Sequence, residues 1–238
     1  MLFRSDSGSG CPSTSTGKVG CSRRSCRRVA NMAGVEMVSY DAREHWVNAW
    51  HERDPKATSW YQERPSTSLD LILGVSQPLD AVVDVGAGAS YLADHLFALG
   101  YHDVTLVDIA EAPLEVVRDR LHGAVEFVVA DATTWNPDRQ FKVWHDRAVF
   151  HFLHTAEDRA AYVATAAAAV PVGGHVIIGA FGTNGPTMCS GLPVRQYEGA
   201  SLAAEFDPSF TLIKSVVTTH VTPNMVDQRF VFAVLQRR

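Results

Sequence analysis

Ala81-Val82-Val83-Asp84-Val85-Gly86-Ala87-Gly88-Ala89-Ser90 is the stretch whose reading decides the fold. It opens as a short apolar strand, ends in an acid, and passes through a glycine turn into a helix expected from near Ser90. Glycines suit such a turn because they take positive φ at little cost and leave backbone bare for a ligand. The helix start adds free N–H groups at the same place.

Downstream, apolar runs alternate with amphipathic stretches. The pattern predicts strands over 81–85, 104–108, 125–129, 141–145 and 175–180, with helices near 90–99, 112–121 and 157–170. A long loop over 182–197 and a helix near 199–206 follow. Two extended runs, 210–221 and 228–237, close the chain around Thr222-Pro223-Asn224. Repeated strand–helix units imply an α/β fold, a doubly wound, mostly parallel sheet with right-handed crossovers and helices on both faces. The last two runs have no helix between them, so an antiparallel edge hairpin is expected. Upstream, Asp41 is expected to cap a helix through about Arg53 with Trp46, Val47 and Trp50 on one face, and Ser66 or Thr67 to cap a second, Leu69 to Val75.

The 238 residues suffice for one domain with a sizeable core. Residues 1–38 are rich in Ser, Gly and Arg without apolar periodicity and are expected to be a disordered tail. An organelle transit peptide is one reading of it; an upstream extension, with Met32 or Met37 as effective start, is favoured because no clear amphipathic helix is present. A single domain over 39–238 is expected, with N-terminal helices and a lid over 39–78 and the core over 79–238. Residues 1–31 hold six of the 21 basic residues and one of the 26 acids, leaving the rest with 15 against 25, a net charge of −10. An acidic body argues against nucleic acid as a partner. No run approaches the roughly 20 apolar residues of a membrane span. Three of four cysteines lie in the tail, leaving Cys189 alone in the body, which suits a reducing compartment. A soluble, cytoplasmic protein is expected.

In such a sheet ligands bind beyond the carboxyl ends of the strands, near the point where strand order reverses. The polar residues at those ends are Asp84 with Gly86 and Gly88, Asp108, Asp131, and His145 with Asp146. Asp108 lies 20 residues after Gly88, a spacing that suits a carboxylate accepting ribose hydroxyls. Tyr91 stands where a dinucleotide fingerprint has its third glycine or alanine, and Asp84 would repel a pyrophosphate. A nicotinamide site is therefore disfavoured.

At these residues the chain resembles the class I S-adenosylmethionine-dependent methyltransferases, over roughly 60–237. The resemblance implies S-adenosylmethionine as cofactor and a Rossmann-like sheet of order 3-2-1-4-5-7-6 with the seventh strand antiparallel. It implies that Asp84, Gly86 and Gly88 seat the methionine end, Asp108 the ribose, and Asp131 with Ala132 the adenine edge. Ser59-Trp60-Tyr61-Gln62 is expected to close over the cofactor, with Tyr61 in contact.

Methyl transfer from a sulfonium is an in-line displacement, so the protein must position a nucleophile, exclude water and, where needed, take a proton. His145 or His151 is expected as base, with Asp146 orienting a cofactor or substrate amine. No metal is expected, since the spacing of His145, His151 and His154 across a strand-to-helix turn does not fix ligand geometry. The loop over 182–197 should overhang the pocket, with Cys189 a possible substrate contact. Trp144-His145-Asp146-Arg147-Ala148-Val149 resembles the Trp-Asp-Arg-Gly-Ala-Leu stretch of thiopurine-type S-methyltransferases. The Ser-Trp-Tyr-Gln segment is similar to that of seven-strand lysine methyltransferases. A small-molecule acceptor, a thiol first, is expected. A protein lysine is the alternative acceptor, and a cofactor-binding module without catalysis is the reading from another class.

Overall fold

The computed structural model describes residues 41–51 and 53–238. The expected tail over 1–38 lies outside the described residues. The apolar runs form β1 (Val82–Val85), β2 (Val104–Asp108), β3 (Glu126–Val129), β4 (Val143–Arg147) and β5 (His175–Phe181). The closing runs form β6 (Phe210–Val221) and β7 (Asp227–Arg237). Together they make a seven-stranded sheet in the order β3-β2-β1-β4-β5-β7-β6. The first five strands are parallel, and β7 is antiparallel to both β5 and β6, as the missing crossover helix requires. Strand order reverses between β1 and β4, which opens a crevice beyond their carboxyl ends.

Helices α1 (Ala42–His51) and α2 (Ser66–Leu73) precede the sheet. Four more, α3 (Leu92–Ala98), α4 (Glu111–Leu121), α5 (Ala156–Ala169) and α6 (Gly199–Ala204), follow its strands. Successive strand residues point to opposite faces. Val82, Leu106, Val143 and Ile177 join Leu69 of α2, Leu96 of α3 and Leu114 of α4 in one apolar cluster. Val83, Trp144 and Ile178 join Tyr162 of α5 and Leu202 of α6 in the other. Each such fully buried side chain contributes about 1.5–3 kcal/mol relative to exposure. Because of the alternation, His145 shares a face with Val143, and Asp146 shares the opposite face with Trp144. No helix among the described residues is long and apolar enough to cross a membrane.

Element ends differ from expectation by up to three residues, and two of the differences have a visible cause. Strand β4 starts at Val143 rather than Phe141, because the Phe141 N–H donates to Ala169 O of α5 (2.8 Å) and leaves the ladder. The strand gains Arg147 at its other end. Helix α2 starts at Ser66, led in by Pro65 at φ −79° with no side-chain cap. Proline supplies the near-helical φ that a capping side chain would otherwise have to stabilise. At the far edge of the sheet, a register shift between Leu212 and Lys214 breaks the pairing of β6 with β7.

Gly179 of β5 lies opposite Phe232 of β7, and a Cβ there would stand 2.5 Å from the Phe232 ring. Gly179→Ala should therefore cost about 1–3 kcal/mol through overpacking. Thermal unfolding should show the loss, and Phe232→Leu in the same chain should restore most of it.

Candidate active site

The glycine turn is pinned to β2. Gly86 and Ala87 both donate their N–H to Val107 O, at 2.7 and 3.0 Å. Gly86 and Gly88 have φ of 66° and 54°, the left-handed region that other residues avoid. A Cβ at Gly88 would stand 3.0 Å from the Trp50 ring, so this backbone forms the bare floor of a slot under α1. Arg120 of α4 braces the turn, with two hydrogen bonds to the Asp94 carboxylate (2.6 and 2.8 Å) and one to Ser90 O (2.6 Å).

Asp108 closes β2 and is buried. It accepts the N–H of Gly88 at Oδ2 and of Ala110 at Oδ1, both at 2.9 Å. Burial pushes its carboxyl up to about 6, with the Asp84 charge adding to the shift and the two N–H donors opposing it. Asp131 accepts both the N–H and the hydroxyl of Thr133 at Oδ1 (2.8 Å each), a tight local turn that fixes the carboxylate. Asp84, Gly86, Gly88, Asp108, Asp131, Ala132 and Tyr61 all line one pocket. The Tyr61 ring meets Tyr91 edge-on at 6.0 Å.

The other end of the pocket is built by β4 and its surroundings. His145 and Asp84 are register partners on β4 and β1. His145 Nδ1–H donates to Asp84 Oδ1 at 2.7 Å, and Nε2 lies 2.9 Å from the Ser68 hydroxyl of α2. All three side chains are buried. Arg147, two residues on, shares the face of His145. Its Nη1 donates to Trp60 O at 3.0 Å, its guanidinium lies 4.7 Å from the Phe230 ring centre, and its Nη2 is out of solvent without a hydrogen-bond partner. Burial lowers its pKa to about 10, which leaves it a cation at neutral pH. Trp46, Trp60, Phe152 and Cys189 complete this end. Burial raises the Cys189 thiol to about 11, so it is held protonated. Arg53 donates to the Ser190 hydroxyl at 3.0 Å and joins the segment after α1 to the overhanging loop.

Two expected site residues lie elsewhere. Asp146 points through the sheet toward α5, where it accepts from Tyr162 Oη (2.6 Å), Val149 N (2.8 Å) and Phe150 N (3.0 Å). Period-2 alternation places it on the face away from His145, so it does not line the pocket. It is an internal anchor for the β4–α5 connection, and burial raises its carboxyl to about 6. His151 is fully buried against Phe181 and does not line the pocket either. Burial, reinforced by the charge of Arg147, lowers its pKa to about 3, which unsuits it as a base. The residues the sequence reading passed over are Arg147, Ser68 and the indoles of α1. Arg147 was legible as the residue two beyond His145 on one strand face; Ser68 had no sequence signal linking it to His145.

Two outcomes test these assignments. Tyr162→Phe strands the Trp144 Nε1–H that donates to Tyr162 Oη (2.9 Å) and removes one of the two donors to Asp146 Oδ2, which keeps the Phe150 N–H. A loss of about 1–3 kcal/mol for the orphaned group is expected in denaturant unfolding. For His151, the unfolded chain takes a proton below 6.5 while the folded chain resists it down to about 3, so this residue removes stability as pH falls through that window. The raised carboxyls of Asp108 and Asp146 act oppositely from 3.8 to about 6, equally in both proteins compared. His151→Phe should lose less melting temperature than the parent between pH 6.5 and 4.5, and parallel curves would refute the assignment.

The sequence family described as a methyltransferase domain matches residues 82–174. The eEF1A lysine and N-terminal methyltransferase of Bos taurus is 27% identical over 136 residues, which are 54% of this chain and 19% of that protein. The chain thus spans about a fifth of the length of the curated relatives it matches. Among solved structures, the 1,6-didemethyltoxoflavin-N1-methyltransferase of Burkholderia thailandensis, with 1,6-didemethyltoxoflavin and S-adenosylhomocysteine bound, is 19% identical with a TM-score of 0.64, covering 82% of this chain and 86% of that one. The N-methyltransferase NodS of Bradyrhizobium japonicum with S-adenosylhomocysteine is 11% identical with a TM-score of 0.65, covering 83% and 99%. At such identities the structural likenesses are likenesses of fold.

Proposed function

We propose that this chain, which carries a class I S-adenosylmethionine-dependent methyltransferase domain, methylates a small-molecule acceptor whose nucleophile needs little help losing a proton. The residues present fit the cofactor. A glycine floor that side chains would fill, a buried carboxylate at the end of β2 and a fixed carboxylate after β3 stand around one slot. Bound there, S-adenosylmethionine supplies an electrophilic methyl group. Gly86 and Gly88 offer bare backbone to its methionine end, Asp108 accepts the ribose hydroxyls, Asp131 and Ala132 meet the adenine edge, and Tyr61 with Trp50 covers it.

The observation that carries the acceptor class is Arg147. The acids lining the pocket are Asp84, Asp108 and Asp131. Asp84 is engaged by His145, and the other two close β2 and follow β3. The acceptor end therefore presents a cation with an unspent N–H, an environment that repels a lysine ammonium. Both nitrogens of His145 are occupied, so it positions Asp84 and Ser68 and does not take a proton directly from the acceptor. A thiol or ring nitrogen meets these conditions, since a soft nucleophile needs little base assistance. The likeness to eEF1A lysine and N-terminal methyltransferases favours a second reading, a protein lysine or N-terminal amine. A labelled-methyl assay on cell extract separated into small molecules and protein decides between them. Label in the small-molecule fraction is expected; label confined to protein would establish the second reading. Cofactor binding with no label in either fraction would identify a silent module.

The ribose assignment has its own test. A carboxylate accepts two hydroxyls only when ionised. Affinity for S-adenosylhomocysteine should rise as pH increases through about 6, where Asp108 loses its proton. Asp108→Ala should weaken binding by roughly 100-fold or more, the equivalent of two charge-assisted hydrogen bonds at about 1.5–3 kcal/mol each. Titration calorimetry from pH 5 to 8 reads both, and unchanged affinity in the variant would overturn the assignment.

A further inference from the structure

Arg147 also lines a second cavity, next to the first, which it shares with Gln62. Arg64, Ser66, Thr67, Thr218 and His220 contribute to that cavity, and no acidic side chain among the described residues does. This is notable in a body with a net charge of −10. The Arg64 guanidinium has no ion pair or hydrogen bond among the described residues. Ser66 and Thr67 open α2, whose N-terminus carries no side-chain cap. His220 Nε2–H donates to Ser59 O at 2.8 Å, which fixes the ring at the cavity wall. Arg147 spends one arm of its fork on Trp60 O and holds the other, Nη2, away from solvent and unpaired. A desolvated cation costs free energy until an anion or acceptor meets it.

We infer that the methyl acceptor carries an anionic oxygen group, a carboxylate or a phosphate, which Arg147 and Arg64 hold in this second cavity while the nucleophilic atom lies in the cofactor pocket. The inference rests on the small-molecule reading above. Arginine forks match both oxyanions bidentately, and hydroxyls at Ser66, Thr67 and Thr218 supply further donors. Anchoring the acceptor at a site apart from the reacting atom fixes its approach to the methyl group, which is where a displacement gains most of its rate.

The test uses the full chain saturated with S-adenosylhomocysteine and titrated with inorganic phosphate or acetate at constant ionic strength, followed by amide NMR against a chloride control. Saturable binding of phosphate, acetate or both is expected, weakened at least tenfold in Arg64→Gln and in Arg147→Lys. In the extract assay, the labelled product should be retained on an anion exchanger, and Arg64→Gln should lower kcat/KM at least tenfold. Loss of retention after phosphatase treatment identifies the phosphate; retention after it identifies the carboxylate. Shifts no larger than with chloride, binding in both variants as tight as in the parent, or an uncharged labelled product would overturn the inference. Failure of S-adenosylhomocysteine to bind the parent chain would instead overturn the functional reading.

Discussion

The 2.7 Å hydrogen bond from His145 to Asp84 is the interaction on which the site depends. It joins β1 to β4 across the point where strand order reverses, at the mouth of the crevice. Asp84 stands near a second buried carboxylate, Asp108, and its charge raises the cost of ionising Asp108. His145 spends its Nδ1–H on one oxygen of Asp84 and leaves the second for the pocket. Its other nitrogen reaches Ser68 and thereby ties α2 to the sheet. One imidazole thus sets the charge, the spacing and the roof attachment of the slot.

Charge is sorted along the pocket as a result. Carboxylates stand at the ends of β1, β2 and after β3, where a nucleoside with hydroxyls and a cationic methionine end is complementary. Past His145 the sign changes, and the remaining charge is the guanidinium of Arg147. Aromatic rings from α1 and the segment before α2 separate this end from water, so each charge acts through a medium of low polarisability.

The sheet was legible because its strands are apolar runs closed by acids and separated by amphipathic stretches of helical length. The strand order itself followed only from the resemblance carried by the residues that close those strands. The residues flanking the glycine turn were legible too, since Asp84, Asp108 and the Asp131-Ala132 pair each end or follow a strand. Beyond β4 the chain was harder to read. His145 and Asp146 are adjacent in sequence and were taken together, yet strand alternation sends them to opposite faces. β4 starts two residues late, where Phe141 bonds to α5, and pairing of Arg147 with Gly179 of β5 carries the strand on to Arg147. His151 lay one turn farther, where a short 3-10 segment (Phe150–Phe152) carries it into the core. Ser68 is 77 residues from His145 and meets it only through helix packing.

The irregularity in β6 has a bearing on how the molecule behaves in company. As the outermost strand, β6 runs 12 residues with one row of N–H and C=O groups unpaired, and Ile213, Val217 and Val221 are about half exposed along it. Such an edge is a template onto which another chain can add a strand and begin to aggregate. The bulge between Leu212 and Lys214 interrupts that template, and the lysine beside it places a charge that an incoming apolar strand would have to desolvate. A local fault in hydrogen-bond register thus acts as a safeguard of colloidal stability.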